Sequence, residues 1–246
     1  MPAPNVPPLP KVLAFDTSTE CLAVALQSPA GATHRLAAGG AAASAQLLPL
    51  VADLLQAAGL VHADLDFIAF GRGPGAFTGL RTACAVAQGL AFGIGRPVLS
   101  IDSLLIVAED AHAQAGAPPT FDVGVAMDAR MGEVYAAAYR FNGTAWAVLR
   151  EPALLGLPAL AEAWQGLAPD AVAGSAWAAF GDRLAAPTAR VFIQEQDRAA
   201  ALLRLALLAA AAGEGMDAAM ALPLYLRDKV AQTTLEREAA RAAAAA

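Results

Sequence analysis

A glycine-rich loop that leads into a helix is the first stretch of this sequence whose residues could do chemistry. Residues 71–81 place a proline among closely spaced glycines: Gly71, Gly73, Pro74 and Gly75. Glycine accepts backbone angles that other residues avoid, and N–H groups at a helix N-terminus can bind a phosphate. However, the loop lacks the lysine of phosphate-binding loops, and the helix expected over residues 78–92 is apolar on more than one face. We therefore favour core and interface packing for this loop over anion binding.

The sequence offers little for metal or nucleophilic chemistry. His34, His62 and His112 stand alone, and no two of them have the helical spacing that binds a catalytic metal ion. A peptidase needs a nucleophile with a base, or a metal, and we find neither constellation. We expect no metal site and no catalytic residue in this chain.

A charged cluster is expected at the end of a strand, where Asp128, Arg130 and Glu133 lie close together in sequence. Opposite charges in such an arrangement usually form a surface ion pair of little energetic consequence. An acid and a guanidinium without a nucleophile or a metal define no reaction. We assign this cluster no chemistry from its residue types.

The elements that must position these residues form a first unit of strands and helices. Hydrophobic runs predict strands over residues 12–16, 21–26, 33–37, 65–70 and 97–101. Helical spacing predicts helices over residues 44–58 and 103–115, with Gly59 ending the first of them. Pro49 is expected to kink or delay that helix, because proline lacks the backbone donor that a helix interior needs.

A second unit is expected to repeat the first loosely, after a boundary at Pro118 and Pro119. Strands are predicted over residues 121–127, 133–141 and 146–149, with Asn142-Gly143 as a hairpin turn. Helices are predicted over residues 158–165, 176–185 and 199–212. The pattern indicates an internally duplicated α/β architecture, divided into a lead-in (1–10), a first lobe (11–116), a second lobe (117–232) and a flexible tail (233–246).

Composition narrows the classes of function. The chain has 246 residues, of which 57% are hydrophobic, so it can build a large core. Its net charge of −6 argues against binding the phosphate backbone of a nucleic acid over a broad surface. Its longest uncharged run, residues 36–52, is too polar and broken to span a bilayer. The proline-rich start lacks the pattern of a secretory signal, and two cysteines suit a reducing compartment. We expect a cytoplasmic protein without a membrane segment.

Two apolar stripes predict a surface for a partner protein. Phe77, Leu80, Cys84 and Gln88 recur at helical spacing on the second helix, and Leu47, Val51 and Leu55 do so on the first. Together the two stripes could form half of a four-helix contact. The predicted partner-binding residues are Leu47, Val51, Leu55, Phe77, Leu80, Arg81, Cys84 and Gln88. Without its partner, the chain could form a homodimer through the same surface.

Several motifs together resemble those of the TsaB family, the bacterial subunits of the tRNA threonylcarbamoyladenosine machinery. The resemblance covers nearly the whole chain and is most specific in one block, GPGAFTGLR at residues 73–81. The other motifs are FDTST at 15–19, AQLLPL at 45–50, AQGLA at 87–91, MDARMGEVY at 127–135, GSAW at 174–177 and PLYLR at 223–227.

The resemblance implies a duplicated actin-like (ASKHA, ribonuclease H-like) two-lobe fold, with mixed sheets and flanking helices. It also implies a scaffold subunit that carries no catalytic group of its own. In that family a TsaD-like sister subunit holds the metal and transfers threonylcarbamoyl to the adenosine beside the anticodon. The scaffold pairs with it through helices of its first lobe, the pair engages a TsaE-like ATPase, and we expect tRNA to be met only through the complex.

Asp16, Thr17 and Ser18 resemble the first phosphate loop of the actin-like fold, where a carboxylate orients a metal-bound water and hydroxyls meet the phosphate. This similarity keeps an ATP-dependent phosphotransferase as an alternative function, beside the peptidase label that the wider family has carried. The same residue types also bond to neighbouring backbone in tight turns, and no glycine follows Asp16 to let a phosphate approach. We therefore expect no cofactor and regard these three residues as weak candidates.

Overall fold

The computed structural model describes residues 9–184 and 189–227, and in that part of the chain two five-stranded sheets are surrounded by helices. The first sheet has the strand order β3-β2-β1-β4-β5. Its strands are β1 (Val12–Asp16), β2 (Cys21–Ser28), β3 (Gly31–Ala38), β4 (Phe67–Gly73) and β5 (Val98–Asp102). Helices α1 (Ala43–Ala57) and α2 (Phe77–Ile94) come before and after β4, and α3 (Ser103–Gln114) follows β5.

The direction of each strand follows from the connection that precedes it. A short turn joins β1 to β2 and another joins β2 to β3, so these neighbours are antiparallel. Helical connections precede β4 and β5, so β4 is parallel to β1 and β5 is parallel to β4. The carboxyl ends of β1, β4 and β5 therefore lie at the same edge, which brings Asp16, the glycine loop and Ser103 together.

The second sheet has the order β10-β9-β6-β7-β8, which is the order of the first sheet read from the other end. Its elements are β6 (Phe121–Asp128), β7 (Glu133–Phe141), β8 (Trp146–Gly156), α4 (Leu157–Ala163), β9 (Ala171–Ala173), α5 (Ala176–Phe180) and β10 (Arg190–Phe192), and α6 (Arg198–Ala211) follows them. Two antiparallel neighbours are again followed by parallel ones. This repetition confirms the predicted duplicated actin-like architecture.

The inner strands of the first sheet are buried on both faces by different helices, whereas the edge strand β3 is largely exposed. On one face, Leu13 and Phe15 pack with the inner sides of α1 and α2. On the other face, Val12 and Ala14 pack against α6, which comes from the segment assigned in sequence to the second lobe. Helix α3 packs with Phe121 and Val123 of the second sheet, so it joins the two sheets through buried apolar contacts. The predicted lobe boundaries remain a prediction.

Several local predictions need correction. Helix α1 begins at Ala43 and contains Pro49, so the proline does not delay it; Ala45 and Pro49 are both exposed, and water can hydrate the carbonyl that lacks a donor. The helix predicted over 176–185 ends at Phe180, and the short strands β9 and β10 were not predicted. The proposed tail, 233–246, and most of the lead-in lie outside the described residues. No helix in the described ranges combines the length and apolarity that a membrane crossing requires.

Candidate functional site

The glycine loop packs directly against the turn that follows β1. The hydroxyl of Thr17 donates to the carbonyl of Gly79 at 2.6 Å, and the N–H of Ala76 donates to the carbonyl of Ser18 at 2.8 Å. A Cβ added at Gly79 would lie 1.8 Å from the backbone carbonyl oxygen of Thr17, and one added at Gly75 would lie 2.4 Å from the backbone carbonyl oxygen of Ser18. The chain's own backbone therefore fills the space beside the loop that a phosphate would need.

Asp16 lies at the floor of the site with no exposed surface. Its Oδ1 accepts hydrogen bonds from the N–H and the hydroxyl of Ser18, both at 2.7 Å, and its Oδ2 accepts one from the hydroxyl of Ser103 at 2.9 Å. Burial alone would raise the pKa of the Asp16 carboxyl, but the Arg198 guanidinium and the hydrogen bonds from both serines together hold that pKa below its ordinary value. The carboxylate is therefore kept ionised.

Arg198 at the start of α6 supplies the opposite charge. Its Nε lies 3.4 Å from Oδ1 of Asp16, and its Nη2 donates to the hydroxyl of Ser18 at 3.0 Å. Its Nη1 also pairs with Glu195 at 2.5 Å, and the Arg198 side chain is only 3% exposed. Burial disfavours the charged guanidinium, yet Asp16 and Glu195 raise its pKa above the ordinary value. Arg198 is not among the residues predicted from the sequence; its signal there is an arginine at the start of an alanine- and leucine-rich helix.

The hydrogen bonds around Asp16 bear on whether this site could bind a nucleotide and its metal ion. A carboxylate that orients a metal-bound water needs a free oxygen directed at the metal. In this structure both oxygens of Asp16 already accept hydrogen bonds, and Arg198 holds a positive charge beside them. Thr17 and Ser18 are also bonded within the chain. The three weak cofactor candidates therefore form an internal structural network.

A cleft of about 800 Å³ lies between the lobes above this network. Ser18, Cys21, Ser103 and Arg198 form part of the wall beside the first sheet, and the cleft is also lined by apolar side chains such as Leu80, Met127 and Leu224. The charged cluster at the end of β6 lies at the second-lobe wall: Arg130 is 3.3 Å from Asp128 and 3.9 Å from Glu20. The Arg130 side chain is 76% exposed, so both ion pairs are weak.

The described residues contain no group of three or more His, Cys, Asp or Glu side chains that could hold a metal ion. His112 is buried among aromatic rings, with Nε2 2.8 Å from the Pro118 carbonyl, and His34 pairs with Asp197 on the surface. In the ranges 9–184 and 189–227, no histidine ring hydrogen-bonds to a serine, threonine or cysteine side chain. The geometry thus gives the peptidase alternative no support.

Five of the eight predicted partner-binding residues lie inside the chain. Leu47, Val51 and Leu55 belong to the core between α1 and the first sheet, and Leu80 and Cys84 of α2 are at most 5% exposed. The helical spacing is real, but it marks the side of each helix that faces its own sheet. These five side chains are therefore not surface in the single chain, which corrects the expectation of an outward apolar stripe.

The other three predicted residues reach the surface and meet the C-terminal segment of the chain. The Phe77 ring lies 5.1 Å from the ring of Tyr225, whose hydroxyl accepts a hydrogen bond from Arg81 at 3.3 Å. The side-chain amide of Gln88 donates to the Ala221 carbonyl at 3.0 Å. This face of α2 is therefore partly covered by residues more than a hundred positions later in sequence.

Among residues 9–184 and 189–227, nothing covers the outward faces of α1 and α2, which are largely apolar. Leu48 of α1 is 50% exposed and Phe92 of α2 is 84% exposed. Gly89 and Gly93, one helical turn apart, are also exposed, and a Cβ added at either would meet nothing within 4 Å. Neither glycine is needed for packing within the chain. We call these residues, with the exposed Ala45 and Ala85, the outer helix face.

Comparison with known proteins gives consistent relatives. The model of the TsaD family, tRNA N6-adenosine threonylcarbamoyltransferase, matches residues 38–157. The tRNA threonylcarbamoyladenosine biosynthesis protein TsaB of Escherichia coli is 33% identical over 226 residues, which are 90% of this chain and 96% of that protein. TsaB of Haemophilus influenzae is 42% identical over 124 residues, 50% of this chain and 51% of that protein. A solved structure from Pseudomonas aeruginosa, described as an uncharacterized protein with similarity to peptidase YeaZ, is 40% identical with a TM-score of 0.80; the match covers 89% of this chain and 100% of that one.

Proposed function

The chain belongs to the TsaB family of tRNA threonylcarbamoyladenosine biosynthesis proteins, and we propose that it serves that pathway as a non-catalytic scaffold subunit. In this proposal it binds a TsaD-like catalytic subunit, which transfers threonylcarbamoyl to the adenosine beside the anticodon. The chain contributes a docking surface and no reacting group.

The outer helix face is the observation that carries the proposal. An exposed glycine inside a helix costs about 0.5–1 kcal/mol relative to alanine. A Cβ added at Gly89 or Gly93 would meet nothing within 4 Å in the described part of the chain, so packing there gives no reason for a glycine at either position. Glycines on a helix surface allow the backbone of another helix to approach closely. With Leu48 and Phe92 beside them, they fit a partner that presents helices of its own.

The predicted partner-binding residues then fall into two groups. Phe77, Arg81 and Gln88 reach the surface and can touch a partner directly. Leu47, Val51, Leu55, Leu80 and Cys84 act from inside, because they fix α1 and α2 on the first sheet with the outer helix face turned outwards. In this assignment a charge at Val51 or Leu80 would weaken binding by disrupting the fold, not by removing a contact.

The Asp16 network supports the non-catalytic part of the proposal. Both oxygens of its carboxylate accept hydrogen bonds from Ser18, Ser103 or Arg198, which disfavours Asp16 as the residue that orients a metal-bound water in an actin-like phosphotransferase. We therefore rank the ATP-dependent phosphotransferase well below the scaffold. No contact in the described residues favours a peptidase.

The wider assembly follows from the same assignment. We propose that the pair formed with the TsaD-like subunit engages a TsaE-like ATPase, and that tRNA is met only through the complex, because a net charge of −6 disfavours extended phosphate contacts. When the partner is absent, the uncovered apolar surface favours a homodimer. A role in tRNA modification places the chain in the cytoplasm.

Co-purification with the TsaD-like protein of the same organism tests the proposal. We expect a stable complex with the natural chain, no transferase activity from the chain alone, and loss of the complex when Leu48→Glu and Phe92→Asp are combined. Val148→Glu is the matched control, since Val148 is also 50% exposed but lies on β8 of the second sheet. A complex that survives the double substitution would reject the outer helix face, and threonylcarbamoyl transfer by the purified chain alone would reject the scaffold role.

A further inference from the structure

The segment 221–227 runs from one lobe to the other along the cleft, without forming a helix or a strand. At the first lobe, the N–H of Leu224 donates to the Arg72 carbonyl at 2.7 Å, and the Ala221 carbonyl accepts hydrogen bonds from Cys84 and Gln88. The Phe77–Tyr225 ring contact adds a further attachment on this side. The first half of the segment is thus fastened to β4 and α2.

Arg227 fastens the other end to the second lobe. Its Nη1 lies 2.7 Å from Oε2 of Glu133, and its Nη2 donates to the Ala129 carbonyl at 3.0 Å. These partners flank the turn between β6 and β7, in which Arg130 and Met131 have φ values of 63° and 57°. Consecutive non-glycine residues in this region are strained and persist only where surrounding contacts hold them. Arg227 supplies two such contacts.

The lobes are also joined through α3, but by contacts of a different kind. There α3 packs Leu104 and Val107 against Phe121 and Val123 in a buried apolar core. In segment 221–227, Ala221 is fully buried in the core of the first sheet, whereas Leu224 and Arg227 are held by backbone and charged hydrogen bonds and Tyr225 is 42% exposed. Motions separate domains where few buried apolar contacts hold them. The α3 side can therefore serve as a hinge, while the segment is the part that can detach.

We propose that segment 221–227 is a latch that holds the cleft between the lobes closed, and that its release from Glu133 and from α2 opens the cleft. Leu224, Tyr225, Leu226 and Arg227 line the cleft, so release would remove one of its walls. The same movement would uncover Cys84 and expose more of Phe77 and Gln88 on α2. One detachment thus changes both the cleft and the adjoining surface of the first lobe.

The two cysteines of the chain provide a separate reporter for each effect. Cys84 is 5% exposed and its Sγ lies 3.4 Å from the Ala221 carbonyl, so it reports the cover over α2. Cys21 lines the cleft and is partly buried. The variants Cys21→Ala and Cys84→Ala each leave one thiol, and the rate of its reaction with N-ethylmaleimide is measured at one fixed pH.

Breaking the latch at either end should speed both reactions. In Arg227→Gln and in Glu133→Gln, which remove the ion pair from opposite sides, we expect each thiol to react about tenfold faster while the melting temperature changes by less than about 3 °C. The charge exchange Arg227→Glu with Glu133→Arg should restore slow labelling. Arg140→Gln, which removes the exposed ion pair with Asp122 on the second sheet, is the control and should leave both rates unchanged.

Three results would overturn the latch. Unchanged rates at both thiols would show that the segment does not open. Faster labelling of Cys84 alone would make the segment a local cover of α2 that does not hold the cleft. Faster labelling that follows a loss of overall stability, with no rescue by the charge exchange, would show general unfolding.

Discussion

Arg198 and Asp16 form a buried ion pair between residues 182 positions apart in sequence, with Nε of the arginine 3.4 Å from Oδ1 of the aspartate. The pair fixes the start of α6 to the end of β1, beneath the cleft. Ser18, Ser103 and Glu195 complete the arrangement, so each charge has several partners. The network joins the two ends of the described chain at the floor of the cleft.

Removing one partner of this pair should be costly. Arg198→Leu leaves the Asp16 carboxylate buried without its counter-charge, and we expect the free energy of unfolding to fall by about 3–5 kcal/mol. Urea denaturation followed by circular dichroism measures this loss. The double variant Arg198→Leu with Asp16→Asn should recover part of it, and a loss below about 1 kcal/mol, as expected for the exposed pair of Arg140, would contradict the assignment.

The same pair predicts how stability depends on pH. Because the pKa of Asp16 in the folded chain lies below its ordinary value of 3.8, the ionised carboxylate stabilises the fold fully above that pH. As the pH falls below 3.8 and approaches the lowered pKa, this stabilisation is lost. Urea titrations at successive acidic pH values should show the decline in the natural chain and a smaller decline in Asp16→Asn. Equal slopes for the two proteins would show that Asp16 has no lowered pKa.

Two glycines of α2 should respond oppositely to the same substitution. In Gly79→Ala the new methyl group would lie 1.8 Å from the Thr17 carbonyl oxygen, so the backbone must move, and we expect a loss of about 2–4 kcal/mol. In Gly89→Ala the methyl group meets nothing, and the isolated chain should gain up to about 1 kcal/mol. Thermal unfolding of the two variants measures both effects. A Gly79→Ala variant as stable as the natural chain would refute the packing described at the loop, and a destabilised Gly89→Ala would refute the open position of Gly89.

Gly89→Leu separates docking from folding. Leucine favours a helix more than glycine does, so the isolated chain should be at least as stable as the natural one. A bulky side chain at this position keeps another helix away, and the affinity for the TsaD-like subunit should fall about a hundredfold or more. Isothermal titration calorimetry measures this affinity. Gly166→Leu on the second lobe is not a suitable control, because Gly166 has a φ of 80°. The control variant is therefore Val148→Leu on β8. Unaltered affinity in Gly89→Leu would show that the partner binds elsewhere.

ATP provides a test of the alternative enzyme. Because both Asp16 oxygens are occupied within the chain, a titration with ATP and magnesium should show no micromolar binding by the isolated protein. Micromolar binding that disappears in Asp16→Ala would revive the phosphotransferase. Arg198→Ala alone, even if folded, should not create such binding, since the Thr17–Gly79 contact still fills the adjoining space.

Sequence patterns predicted the regular elements well where hydrophobic runs were long. The strands β1, β2 and β7 and the helices α1, α2, α3 and α6 fall close to their predicted positions. The three-residue strands β9 and β10 are too short for alternation to be recognised. The pattern of elements predicted the duplication but not the strand order, since periodicity along one strand carries no information about its neighbours.

The site was less predictable, for two physical reasons. Helical spacing identified Leu47, Val51 and Leu55 as one apolar face, but spacing cannot tell whether a helix covers its own sheet or another chain. The pairing of Asp16 with Arg198 joins the two ends of the fold, so it depends on where α6 packs. The exposed Gly89 was visible in sequence, yet its lack of neighbours became evident only in three dimensions.

The position of α6 has a consequence for how the protein is made. One face of the first sheet, including Val12, Ala14, Ala23 and Ala25, stays open until residues 198–211 are available to cover it. During synthesis on the ribosome, the early strands must therefore wait for most of the remaining chain before their apolar face is shielded. A messenger RNA truncated before the codons for this helix would yield a product in which one apolar face of the first sheet stays exposed. Such a product would be a substrate for chaperones and proteases.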